Sequence, residues 1–221
     1  MLTVAPPGVA PPPLASRQTT GGRRRSSRLS ITRLFRRSSA DEKSCARHLD
    51  DRTHRLVELT VHGEADKIRT LLASGEVTGK QASHGLLAAA SWGRAEIVMS
   101  LLAHGANPRC TDGAGNTPLH LACASSANPA GAFDTVVKLF EGRHQVHALA
   151  TVKVANAAGQ TPLHLALAEG LEMVVQFLLS YGKATVDAAA IGHAVRSGHT
   201  SLVPHLVAHS AWLVDGARSA L

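Results

Sequence analysis

The chain has 221 residues, 44% of them hydrophobic but only 3% aromatic, with a formal net charge of +7 and three cysteines. That is apolar material for one or two domains, with a core built mostly from Leu, Val and Ala, side chains that suit closely packed helices. It excludes a bilayer-spanning run, which needs roughly 18–20 apolar residues. With no CxxC pair among Cys45, Cys110 and Cys123, it also excludes a disulfide framework and a Cys-based zinc site. The opening MLTVAPPGVAPPP lacks the charged and apolar regions of a secretory signal, so a reducing compartment, cytoplasmic or nuclear, is expected.

Residues 1–45 read as a tail. Residues 1–40 carry eight arginines (Arg17, Arg23, Arg24, Arg25, Arg28, Arg33, Arg36, Arg37) and no Lys, Asp or Glu, leaving 15 basic against 16 acidic residues in 41–221. The basicity therefore belongs to the tail, whose Pro, Ser, Thr and Gly offer too little apolar surface to offset the entropy of ordering; disorder is predicted. In RRRSS and FRRSS, Arg stands two and three positions before Ser27 and Ser39, the pattern that basophilic kinases favour, making both candidate phosphorylation sites. RLSITRLFRR drawn as a helix separates Ile31, Leu34 and Phe35 from Arg28, Arg33, Arg36 and Arg37, a pattern suited to an anionic membrane surface or a partner helix. An Arg/Ser-rich, acid-free start also fits an organelle transit peptide, although the prolines at 6–13 oppose a helical presequence. Plain disorder, a regulatory or tethering tail, and a transit peptide all stay open. Nucleic-acid contact through these arginines would be weak, nonspecific and salt-sensitive.

Beyond the tail, one phrase is written twice: GNTPLHLA at 115–122 and GQTPLHLA at 159–166. Glycine pairs twelve apart bracket apolar runs at Gly63–Gly75, Gly93–Gly105 and Gly170–Gly182, and Gly198 to Ser210 repeats the interval. Aligning on these pairs gives five units starting near His54, His84, Thr117, Thr161 and Ala189. Each reads as a helix–turn–helix. Thr161 suits an N-cap and Pro162 the first helical position. Leu163, Ala166 and Leu167 make a buried stripe, Gly170 stops the helix, and a second helix runs over Glu172–Ser180. Helices this short need neighbours, which predicts an all-α stack over residues 50–213, followed by a tail at 214–221.

TPLHLA preceded by DGAGN and followed by a G-x-x-E-I/V-V-x-x-L-L-x-x-G run resembles the ankyrin repeat, whose unit is about 33 residues. The resemblance implies a solenoid of paired antiparallel helices with hairpin fingers between units. It also implies a monomeric, non-enzymatic module that binds a protein partner, with no cofactor or metal. His120 and His164 then bridge backbone groups between units. The spacings depart from the family: 30, 33, 44 and 28 between successive starts. The 44 splits into an excess of six between the helices of the third unit, at the turn-like SSANPAG, and an excess of five near GRHQVHALATVK, read as a lengthened finger. Pro204 falls inside the last unit's second helix and puts its regularity in question.

Candidate binding residues follow from this register. Trp92, with its neighbour Arg94, ends a first helix at a place that lines the concave face in the family, where an aromatic anchors partners. Arg109 and Asp112 lie on the full-length finger, and His144 and His147 on the insertion. His205 and His209 at i, i+4 carry no HExxH or acidic ligand set, so no metal site is expected.

Overall fold

The computed structural model describes residues 51–125 and 128–209, all helices and connections with no strand among them. The tail with Ser27, Ser39 and its arginines, and residues 214–221, lie outside the described residues. In chain order the helices are α1 (Asp51–His62), α2 (Ala65–Ala73), α3 (Gly79–Ser91), α4 (Ala95–Ala103), α5 (Pro118–Cys123), α6 (Pro129–Leu139), α7 (Gln145–Thr151), α8 (Pro162–Ala168), α9 (Glu172–Ser180) and α10 (Ala188–Arg196). A 3₁₀ turn (Thr200–Leu202) leads into helical residues 203–209.

The helices pair and stack. α1, α3, α5, α8 and α10 pack side by side as a first layer, and α2, α4, α6 and α9 as a second. Between the layers runs one aliphatic core, including Leu56, Leu86, Leu119 and Leu163 from the first and Ile68, Leu101, Val136 and Leu178 from the second. Leu163, Ala166 and Leu167 are buried as the periodicity predicts. Three first-layer helices open with reciprocal capping boxes: Thr78 with Gln81, Thr117 with His120, and Thr161 with His164. Each box satisfies amides that a helix start would otherwise leave unpaired.

Several boundaries differ from the sequence reading. The starts assigned to His54 and His84 fall inside α1 and α3, and Ala189 is one residue into α10. The cause at α3 is the Thr78 capping box, which launches the helix before the shared register begins. The insertion in the third unit is not merely a turn. Asn128 accepts from the Gly131 amide and Pro129 takes the first position, so the extra residues lengthen α6 at its start. The GRHQVHALATVK insertion does not lengthen the finger either. It folds as α7, which buries Ala148 and Thr151. Pro204 does not break the last helix: the 3₁₀ turn takes up the preceding residues, and the proline sits in the first turn, where its missing amide costs nothing.

At Gly93 and Gly131 the second and third units meet backbone to backbone. Gly93 is left-handed (φ 62), and an alanine Cβ there would lie 3.0 Å from the Gly131 carbonyl carbon. A Cβ on Gly131 would in turn meet the Gly93 carbonyl oxygen. Elsewhere the corresponding glycines are roofed by the next unit's side chains: the Arg94 guanidinium over Gly63 and the His199 ring over Gly170.

Candidate partner-binding surface

The connections from second to first helices, at 74–78, 104–117, 152–161 and 181–187, lie along one edge of the stack. The two longest share a turn. Asp112 Oδ1 accepts from the Ala114 and Asn116 amides at 2.9 and 2.8 Å, and Oδ2 from the Asn116 side chain at 2.9 Å. Asn156 Oδ1 does the same work for Ala158 and Gln160 at 3.0 and 2.9 Å. The turns also bind one another: the Ala157 amide donates to the Ala114 carbonyl (2.9 Å), and the Asn156 side chain to the Asn116 side-chain oxygen (2.9 Å). Two fingers thus form one hydrogen-bonded ridge, unaffected by the α7 insertion.

The repeated histidines tie this ridge to the layer behind it. His120, fully buried, accepts the Thr117 amide at Nδ1 (3.2 Å), which leaves Nε2 protonated to donate to the Gln160 carbonyl (3.1 Å). His164 accepts the Thr161 amide in the same way (3.0 Å), but its Nε2 meets the Asp187 carboxylate at 3.0 Å instead of a carbonyl. Asp187 also caps α10 through the Ala190 amide. Although partial desolvation opposes it, that amide bond and His164 hold the Asp187 carboxyl below its ordinary range. His193 lies edge-on to His164 with centroids 5.2 Å apart.

Burial holds His120, His84 and His193 below the ordinary imidazole value of 6.5; for His120 the hydrogen bond to Gln160 opposes the shift, and for His193 the charges of His164 and Arg196 add to it. The sign follows. Below 6.5 the unfolded chain binds protons that the folded chain refuses, so stability is full above that value and is lost as the pH falls through the folded values. Urea midpoints are therefore expected to fall steadily between neutral pH and about pH 5. A flat profile would show that these rings titrate alike in both states. Among the described residues the thiols are poor nucleophiles, since burial pushes Cys110 up to about 12 and Cys123 higher still.

The sequence-derived candidates occupy three places. Trp92 caps the C-terminus of α3, half-buried. Arg94 beside it packs over Gly63 and donates to the Val61 carbonyl at 3.4 Å, so its guanidinium joins the first two units. Arg109 is exposed on the finger, whereas the Asp112 carboxylate is spent inside its own turn. His144 and His147 belong to the start of α7, the first half-buried and the second exposed. Trp92 and the finger stand at opposite ends of the first layer, separated by the length of α3, about 20 Å for 13 residues. His209 is a packing residue whose Nε2 contacts the Leu179 carbonyl at 2.9 Å.

Sequence reasoning missed a shallow depression of about 780 Å³ between the start of α3 and the second finger, lined by Lys80, Ser83, His84, Asn107, Cys110 and Thr111 among others. Ser83 fastens its floor, accepting the Asn107 amide at 2.9 Å. The T-x-x-Q of the Thr78 capping box was the one available signal.

Helix pairs stacked in two layers, with bonded turns along one edge, define a repeat solenoid. The repeats are of one kind: the family model of ankyrin repeats (many copies) matches residues 86–140, and that of the single ankyrin repeat matches 158–191. Residues 86–140 and 158–191 are thus ankyrin repeats. Ankyrin repeats generally mediate protein–protein interaction and are generally non-enzymatic. No curated protein matches the chain. No helix among the described residues is long and apolar enough to cross a membrane.

Proposed function

We propose that the stack is a monomeric adaptor, holding a protein partner along the first-layer helices and fingers of its middle units. The bonded ridge of the second and third fingers is the observation that carries this reading. It is a rigid surface assembled before any partner arrives, which lowers the ordering cost of binding. Terminal units must face water on one side and diverge toward capping, so recognition falls to the middle.

Affinity capture from native extract with wild type, Arg109→Ala and Trp92→Ala tests it. Arg109→Ala is expected to lose partners retained by the wild type at unchanged melting temperature. Trp92→Ala does so if the ring is an anchor, typically worth about 2 kcal/mol of binding. The same proteins retained by both variants would overturn the reading. Asp112 is a poor probe, because its substitution unties the finger turn.

The concentration of eight arginines in residues 1–40 favours a second role for the tail, as a tether to anionic membrane or nucleic acid or a target for phosphorylation at Ser27 and Ser39. Deleting residues 1–40 is expected to abolish binding to anionic vesicles and oligonucleotides while leaving thermal unfolding almost unchanged. Undiminished binding by the truncated chain would remove the tail from consideration.

A further inference from the structure

The finger edge carries a row of exposed cations, Arg109, Lys153 and Lys183 in three of the connections and Lys80 in the first turn of α3, just after the fourth. None of the four makes an ion pair among the described residues, whereas other cations do, such as Arg69 with Asp66 and Glu96, and Lys138 with Glu141. The acids of the same edge are already engaged. Glu76 faces Arg52, Asp112 closes its own turn, and Asp187 is held by His164 and the Ala190 amide. These carboxylates keep their charge but are directed at partners within the fold, so the cations are the groups this edge leaves open to a ligand.

Arg109 and Lys153 are the centre of the row. Each stands eight residues before its TPLH threonine, and each precedes by three the residue that closes the finger turn. The hydrogen bonds between the two turns fix these cations one repeat apart. Lys80 flanks them across the depression at the start of α3.

Resting on the adaptor reading above, we infer that the edge receives an extended acidic segment of a protein partner, one carboxylate to each finger. The spacing sets its pattern. Packed helices lie about 8–10 Å apart, and a chain extended as polyproline II advances about 3.1 Å per residue with three residues per turn, so every third residue of the segment faces the same side and meets a successive finger. The segment therefore carries Asp or Glu at i, i+3 and i+6. A protein segment fits better than a nucleic-acid strand, which takes aromatic stacking platforms. The rings of Phe133, Phe140, Phe177 and Tyr181 are instead packed on one another.

The test uses the full-length chain and a labelled synthetic peptide of five Gly-Ser-Glu repeats, followed by fluorescence anisotropy, with the Gly-Ser-Gln peptide and an oligothymidylate of equal length as comparisons. Arg109→Glu with Lys153→Glu is expected to weaken the acidic peptide about tenfold or more at low salt. Arg69→Glu with Arg196→Glu, the same change in net charge elsewhere on the stack, is expected to leave it within about twofold. Arg109→Gln with Lys153→Gln repeats the measurement should the reversal unfold the chain. Equal loss in the two charge-reversed pairs, or no loss in either, overturns the inference, because the binding then follows net charge or the tail. Oligothymidylate bound more tightly and lost in parallel overturns it in favour of a polyphosphate ligand. Extract partners lost in Trp92→Ala while the finger pair keeps the peptide remove this inference and leave the adaptor reading standing.

Discussion

Gly93→Ala is expected to cost the stack about 3 kcal/mol, and Gly105→Ala only about half of that. Both glycines are left-handed, with φ of 62 and 83, so an alanine at either incurs the backbone penalty of about 1–2 kcal/mol. They differ in surroundings. Nothing lies within 4 Å of a Cβ at Gly105, whereas a Cβ at Gly93 meets the backbone of Gly131 and Ala132 at 3.0 and 3.1 Å. Main chain cannot rotate aside as a side chain does, so the unit boundary must open. In a solenoid each unit is stabilised by its neighbours, and opening one boundary uncouples the units on either side. Urea unfolding followed by circular dichroism is expected to give two transitions for Gly93→Ala and one for Gly105→Ala. Equal losses with a single transition in both would show that the 93–131 contact contributes nothing beyond the backbone term.

His120→Ala is expected to destabilise by about 3 kcal/mol, and His164→Ala by at least about 1 kcal/mol less. The two rings hold the same place in the same motif. His120 is fully buried, and its loss removes the acceptor of the Thr117 amide, the donor to the Gln160 carbonyl and the filling of a closed space. His164 reaches a carboxylate whose side chain is 58% exposed, so water replaces the lost partner. Urea midpoints at neutral pH read the difference. Identical losses would show that the acceptor across the boundary is irrelevant and that ring volume alone counts.

The repeats were legible because their signals are local. A left-handed glycine twelve residues from the next, and a Thr-Pro with a histidine at its third helical position, each report a conformation that few other residues adopt. The insertions were legible in length but not in form. QVHALAT carries its buried residues at Ala148 and Thr151, too few turns for a period to stand out. The start of α3 was written in Thr78 and Gln81, but a register anchored on second helices passes over it. The binding surface was the least legible. That Trp92 and Arg109 face opposite ends of the layer depends on where α3 begins, and that Asp112 is occupied depends on side-chain geometry that no spacing reveals.

Because α7 stands outside the register, the ridge on either side of it closes as though the insertion were not there. The hydrogen bonds linking residues 112–116 to 156–160 span the gap, and the added helix is anchored by Ala148, Leu149 and Thr151 and by the Gln145 side chain, which donates to the Tyr181 hydroxyl at 3.1 Å. Its outer side, with Val146 73% exposed, faces solvent. For protein engineering this makes the exposed turn at Glu141 and Gly142, just ahead of α7, a permissive graft point, where an epitope or a reporter domain is carried by the solenoid without entering its load path.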